Sequence, residues 1–285
     1  MPEKLRDLIA VAEKKLRKSG VGNPRLDAEI LIAFVLGCGR EKILSDPELE
    51  IPDPDALRFR ELVERRAVRY PLQYLTNRQE FYSLEFYVDE RVLIPRHESE
   101  LIVDEVLKLN RKESPVIADI GTGSGNLAVT VAVRIRKADI IATDSSVAAL
   151  EVAKMNADRH AVSGRIRFLE GDFLQPLKEN FPNSSFDFII SNPPYVCESE
   201  MGILQDEVRV HEPHGALLSG EGGLVSYGRI ILSSFDLLGE GGCLILELGA
   251  GRAESVGEIL LKVPFSRIYF QKDMQGIDRI AAAIK

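Results

Sequence analysis

The sequence predicts an α/β protein, with a mainly parallel sheet preceded by a small helical bundle and a linking β-hairpin. Three observations carry this expectation. After residue 114, short apolar runs alternate with segments of helical period, the mark of a parallel sheet covered on both faces. Residues 1–75 show helical period alone. Between them, over residues 80–94, the period drops to two, as in strands with one buried face. The expected divisions are a helical bundle over 1–78, a hairpin linker over 79–95 and an α/β domain over 96–285.

In chain order, Leu5, Leu8, Ile9, Ala12 and Leu16 share one face of a helix over residues 3–18, which Gly20 stops. Asn23-Pro24 reads as an N-cap followed by proline at the first helical position. That helix carries Ile30, Leu31, Phe34 and Val35 and ends near Gly37. Asp53-Pro54 repeats the start signal for a helix to about Ala67. Arg58, Arg60, Arg65, Arg66 and Arg69 stud it, interleaved with Glu61 and Glu64. They read as a solvated face with i,i+4 pairs, and a contact surface for an acidic partner is the alternative.

In the hairpin, Tyr82, Leu84, Phe86 and Val88 share a face, and Asp89-Glu90-Arg91 is the expected turn before Val92-Leu93-Ile94. Pro95 ends it, and a helix follows from about Glu98 to Leu109. Strands are expected over 116–120, 140–144, 165–169, 186–191 and 243–248, with helices near 126–137, 146–160, 222–238 and 252–262. Two β-like runs, 265–271 and 279–284, are joined by Met274-Gln275-Gly276, which implies an antiparallel pair at one sheet edge. Residues 196–221 have no period and read as a long, substrate-covering connection.

Composition is that of an ordinary globular protein: 285 residues, 45% apolar and 28% charged. The first residues are charged throughout, with no apolar signal core, and no apolar run approaches the roughly 20 residues that span a bilayer. Cys38, Cys197 and Cys243 show neither disulfide nor zinc spacing, and His97, His160, His211 and His214 show no ligand spacing, so no metal is expected. A reducing cytoplasm is the expected location and a monomer the expected state. Net charge is −8, split as −1 over residues 1–95 and −7 over residues 96–285. A protein that grips phosphates carries a basic footprint, so this balance counts against nucleic acid as substrate.

Chemistry concentrates after successive strands. Asp119-Ile120-Gly121-Thr122-Gly123-Ser124-Gly125 follows the first strand and opens a helix, where glycines permit close backbone approach and free N–H groups favour negative charge. A dinucleotide binder needs glycine where Asn126 stands. Asp144 ends the second strand, where a carboxylate can accept both hydroxyls of a ribose. Asp172 and Phe173 follow the third, an acid for an adenine amino group and an aromatic to cover its ring. A ribose and an adenine without a pyrophosphate point to S-adenosylmethionine, with the glycine-loop helix facing its carboxylate. The string resembles motif I of class I methyltransferases over about residues 114–285. That resemblance implies a Rossmann-like, seven-stranded sheet with the last strand antiparallel.

Asn192-Pro193-Pro194-Tyr195 ends the fourth strand, and two prolines force the chain out of the sheet in a stiff extended loop. The nitrogen of an amide or an adenine amino group is a poor nucleophile because its lone pair is delocalised. Two neutral acceptors, the Asn192 side-chain oxygen and the Pro193 carbonyl, can draw its hydrogens out of plane and aim the lone pair at a sulfonium methyl. Tyr195 can pack against the flat group, and Asn192 also borders the cofactor. Catalysis of this kind is positioning plus electrostatics.

The combination resembles the N5-glutamine methyltransferases that modify peptide-chain release factors. Pro71-Leu72-x-Tyr74-Leu75 before Glu80-Phe81 matches that family's segment ahead of the hairpin. Leu93-Ile94-Pro95-Arg96-His97-Glu98-Ser99-Glu100 matches its I-P-R-x-E-[ST]-E string, and Glu212-Pro213-x-x-Ala216-Leu217 its E-P-x-x-A-L string. His97 stands where proline is usual and Asn77 where glycine is usual, and asparagine tolerates positive φ. The resemblance implies that the glutamine of a Gly-Gly-Gln loop is the substrate and that the helical domain helps dock the partner. Arg96 is expected to support the substrate loop, or else to pair with Glu98 or Glu100. The alternatives are a DNA adenine-N6 methyltransferase, which uses a similar loop but must hold a duplex, and a module that binds S-adenosylmethionine without turnover. A dinucleotide oxidoreductase is disfavoured by Asn126.

Overall fold

In the computed structural model, which describes residues 3–182 and 185–285, the chain divides into two units. One comprises Met1–Arg78 with Gln205–His211, the other Gln79–Leu204 with Glu212–Lys285. The first holds β1 (Glu3–Lys4), α1 (Leu5–Lys18), α2 (Pro24–Leu36), α3 (Arg40–Ser45), β2 (Glu50–Ile51), α4 (Asp53–Ala67) and α5 (Leu72–Thr76). All five residues of the α1 stripe are buried. Gly37 closes α2 in the left-handed conformation at φ 62°. Asn23 stands at the N-cap of α2 without a side-chain bond, so the fixed φ of Pro24 carries that start signal. The short α3 and α5 give no readable period, and α4 begins at Asp53 itself, with Pro52 before it.

The arginines from Arg58 to Arg69, on and just after α4, do not form one solvated face. Arg66 is buried, donating to Asp27 at 2.7 Å and to Glu207 at 3.0 Å, and Arg69 donates to the same Glu207 at 2.5 Å. Arg58 and Arg65 lie over the rings of Phe34 and Tyr70, and Arg60 pairs with Glu3.

The second unit opens with a hairpin of β3 (Gln79–Phe81) and β4 (Leu84–Phe86). The two strands are joined at Tyr82-Ser83, with φ of 53° and 62°; Asp89-Glu90-Arg91 does form the expected turn, Val92 N–H donating to the Asp89 carbonyl at 3.1 Å, but it joins no strands. Tyr82 and Ser83 take positive φ without a glycine or asparagine to announce it. Carboxylates hold them: Glu100 accepts from the Tyr82 N–H and Glu80 from that of Ser83. The turn shifts the alternation, so Phe81 and Phe86 are the buried pair, and residues 92–94 form no strand.

Next come α6 (Glu100–Leu109), β5 (Val116–Ile120), α7 (Asn126–Arg134), β6 (Asp139–Asp144), α8 (Val147–Arg159), β7 (Ile166–Glu170), α9 (Gln175–Asn180) and β8 (Phe186–Ser191). After α10 (Asp206–His211), which belongs to the helical unit, come α11 (Val225–Ser234), β9 (Leu238–Glu247), α12 (Ala253–Leu260), β10 (Arg267–Lys272) and β11 (Asp278–Ile284). The seven-stranded sheet has the order β10-β11-β9-β8-β5-β6-β7, and β11, the last strand, runs antiparallel to both neighbours. Side chains alternate between two apolar layers. Ile140, Ile190 and Ile245 pack with α6 and α7, while Ile141, Ile189 and Leu244 pack with α11 and α12. The strand order reverses between β5 and β8, the switch point where open α/β sheets bind ligands. β9 starts earlier than its apolar run, at Leu238, because Gly239, Gly241 and Gly242 mask its first residues. Residues 196–221 carry short helical turns at Glu198–Ile203, His214–Ala216 and Glu221–Gly223 as well as α10, not a structureless loop.

One buried side chain on α8 ties the linker to the glycine loop. Asn156 accepts from Tyr87 N–H at 2.7 Å and donates to the carbonyls of Tyr87 and Ser124, both at 2.9 Å. Asn156→Ala leaves three backbone groups without their partner. It is expected to cost roughly 3 kcal/mol and lower Tm by about 6–12 °C in thermal unfolding, and an unchanged Tm contradicts the tie.

Candidate active site

Apart from Arg96, the residues singled out in the sequence stand at the carboxyl ends of β5, β6, β7 and β8. A cleft of about 540 Å³ opens there, bordered by Gly121, Gly123, Asp144, Phe173, Asn192 and Pro194. Asp144 organises it. Its carboxylate accepts from the N–H groups of Gly123 and Ser146, both at 2.9 Å, and its carbonyl accepts from Gly171 N–H at 3.0 Å. Burial pushes its carboxyl above the usual range.

The glycine loop bends through left-handed φ of 71° at Gly121 and 54° at Gly123. A Cβ at either would meet no other atom within 4 Å, so the loop is open there, whereas one on Gly125 would sit 3.1 Å from Ala153 Cβ. Gly121 and Thr122 both donate to the Thr143 carbonyl and Gly125 to that of Thr122. With these amides engaged, the loop offers a ligand mainly room and shape. Asp119 lies beneath it, fully buried. One carboxylate oxygen accepts from the Thr122 hydroxyl at 2.6 Å and from Ala128 N–H at 3.2 Å, while the other has no partner. Burial drives this carboxyl up to about 7.

At the far end, Asp172 pairs with Arg229 of α11, whose guanidinium lies 4.6 Å from the Phe173 ring centroid. Any amino group reaching Asp172 shares it with Arg229. Phe173 is held at φ 48°, its carbonyl accepting from the Thr143 hydroxyl at 3.1 Å.

After β8, Ser191 donates to the Ile120 carbonyl at 2.6 Å, bonding the base of the next loop to β5. The Asn192 amide nitrogen donates to the Ser99 hydroxyl at 3.0 Å, and Ser99 donates to the carboxylate of Glu247 at the end of β9. Pro193 is buried and Pro194 half-buried. The Tyr195 ring rests on Gly249, where a Cβ would come within 2.7 Å of it, and burial raises its hydroxyl to about 12. Arg96 pairs at 2.5 Å with buried Glu212, not with Glu98 or Glu100, and Glu212 also accepts from Ile94 N–H at 3.1 Å.

Five residues given no role by sequence reasoning therefore support the site: Ser99, Asn156, Glu212, Arg229 and Glu247. Ser99 and Glu212 stood inside strings already singled out, and Glu247 interrupts an apolar run, which is a readable signal. Arg229 and Asn156 looked like ordinary helix residues. Among the described residues, no group of three or more His, Cys, Asp or Glu is placed to hold a metal ion, and no helix is long and apolar enough to cross a membrane.

The residues fit S-adenosylmethionine. A buried carboxylate with one unpartnered oxygen suits an ammonium group, and the open faces of Gly121 and Gly123 leave room for an amino-acid moiety. Asp144 keeps lone pairs for a diol, since its two oxygens offer about four acceptor sites.

Burial pushes Glu247 up to about 7 from 4.5. A raised carboxyl favours folding while protonated, so its stabilisation is complete below about pH 4.5 and is lost as pH rises through 7. Glu247→Gln should be more stable than the native chain at pH 8, by roughly 3 kcal/mol at most, and so unfold at higher temperature. The gap should close toward pH 5, and a gap independent of pH contradicts the assignment.

Comparison with known proteins agrees with this geometry. Residues 7–76 match the PrmC N-terminal domain family and residues 98–221 the methyltransferase small domain family. The release factor glutamine methyltransferase of Rhodopirellula baltica is 39% identical over 94% of this chain and 92% of its own length. That of Moorella thermoacetica is 40% identical over 99% of this chain and 98% of its own. A methyltransferase crystal structure from Pyrococcus furiosus, 19% identical with a TM-score of 0.52, covers 72% of this chain and 90% of its own, and shares the fold. On these full-length similarities, the chain belongs to the release factor glutamine methyltransferase family.

Proposed function

We propose that the chain transfers one methyl group to the side-chain nitrogen of the glutamine in the Gly-Gly-Gln loop of peptide-chain release factors. The observation that carries the reading is the Asn192 amide, held through its nitrogen by Ser99 so that its oxygen is available as an acceptor. When bound, S-adenosylmethionine supplies an electrophilic methyl carbon on a sulfonium sulfur and departs as S-adenosylhomocysteine. Asp144, the Gly121-Thr122-Gly123-Ser124-Gly125 loop, Asp119, Asp172, Phe173 and Asn192 hold it. Asn192 and the Pro193 carbonyl accept the two N–H bonds of the substrate amide and turn its lone pair toward the methyl. As the new N–C bond forms and the S–C bond to the leaving sulfur breaks, the nitrogen gives up one of these protons to solvent. Because both acceptors are neutral, neither competes as a nucleophile. Pro194 and Tyr195 border the substrate, Tyr195 packing against its flat amide, and Arg96, through Glu212, holds the segment that faces the substrate.

On this reading, residues 1–78 dock the release factor, 79–95 link and 96–285 carry the chemistry. The partner is a protein and not nucleic acid, in keeping with the −7 charge of residues 96–285. The chain acts as a monomer in the cytoplasm, where release factors work.

Incubation of the chain with a release factor and S-adenosylmethionine should add a single methyl by mass spectrometry. Absence of that mass, or its persistence after the glutamine is replaced, sinks the reading. Asn192→Ala should reduce turnover by at least about a hundredfold, the scale of losing a positioned transition-state partner. Its cofactor affinity should stay within a few-fold of the native chain. A comparable loss of cofactor binding would instead make Asn192 mainly a cofactor ligand.

A further inference from the structure

We propose that Ser99, held by Glu247, is a positioning residue that decides which end of the Asn192 amide faces the cleft. This rests on the reading of Asn192 as an acceptor for the substrate amide. A carboxamide is nearly symmetric in shape, and its terminal torsion is broad and roughly two-fold, so packing alone hardly separates its two orientations. Chemically they are opposite. The oxygen end accepts a substrate N–H, whereas the NH2 end would confront another NH2.

The distinction comes from two buried groups outside the cleft. Ser99 is 1% exposed and Glu247 2% exposed, so neither depends on solvent. Ser99 has one hydroxyl proton and gives it to Glu247. Its oxygen can then only accept, and Asn192 satisfies it only by presenting its nitrogen, as it does at 3.0 Å. With the amide turned over, two oxygens would face each other with no proton between them, losing a buried hydrogen bond.

The polarity of this chain of bonds holds while Glu247 is ionised. Burial brings that carboxyl to about 7, and Glu98, Arg279 and Arg96 also act on it, along with Tyr195 and Tyr227. The Tyr227 hydroxyl donates to the Glu247 backbone carbonyl at 2.9 Å. A protonated Glu247 has its own proton to offer, which frees that of Ser99 to point at Asn192 and removes the preference. Turnover at saturating cofactor should therefore rise with pH through about 7.

The test compares the native chain with Ser99→Ala and Ser99→Thr, on release-factor methylation and on the side-chain amide resonances of Asn192 by NMR. Ser99→Ala should lower kcat about tenfold, the order of one lost orienting hydrogen bond. It should leave cofactor affinity within twofold, flatten the rise of kcat with pH and shift the Asn192 NH2 resonances. Ser99→Thr, which keeps the hydroxyl, should restore all of these. Native kcat with an unaltered pH profile in Ser99→Ala overturns the proposal, as do Asn192 resonances that do not move. The NMR arm needs no substrate. If the native chain methylates no release factor while the Asn192 resonances still respond to Ser99→Ala, the substrate reading fails and the orienting bond stands.

Discussion

The cofactor end of this molecule depends on one aspartate. Where a parallel strand ends, its last backbone groups lose their ladder partners, and three loops leaving three strands must each find new ones. Asp144 gathers them. Its carboxylate fixes the loop after β5 through Gly123 and the start of α8 through Ser146, and its carbonyl fixes the loop after β7 through Gly171. The adjacent Thr143 does the same work, its carbonyl taking Gly121 and Thr122 and its hydroxyl reaching Phe173. The residue proposed for a ribose is thus also the one that spaces these three loops.

The acids of the site differ in what their surroundings permit. Asp119 and Glu247 are buried and pushed up toward neutrality, Asp119 with one oxygen left unpartnered, Asp144 is tied to backbone N–H groups, and Asp172 is paired with Arg229. None of these contacts presents a carboxylate at the Asn192 amide. Among the described residues, the side chain bonded to that amide is the Ser99 hydroxyl, so on the proposed reading the transfer position is built from neutral groups.

Much of the fold was legible because parallel strands buried on both faces read as continuous apolar runs, and β5, β8 and the closing pair stand where those runs lie. Elements without such a run were hidden. α3, α5 and α9 are too short for a helical period, and glycines cover the first residues of β9. The turn at Tyr82-Ser83 was hidden because those residues carry no turn signature, and the carboxylates of Glu80 and the more distant Glu100 hold their backbone. At the site, residues that follow strands could be read from spacing. Partners reached across the sheet could not, since nothing in the local pattern at Ser99 points to Glu247, nor at Arg96 to Glu212.

The helical unit is discontinuous in sequence, because Gln205–His211 returns to it from within the other unit's span. That return supplies Glu207 to Arg66, a guanidinium that is 6% exposed. A buried cation that loses one of its two carboxylates is a heavy liability. One cut near residue 78 therefore does not separate the unit whole, since it leaves Glu207 behind. A replacement of the first 78 residues that keeps a buried arginine at position 66 needs the acid of α10 as well, and α10 lies in the segment that follows Asn192-Pro193-Pro194-Tyr195.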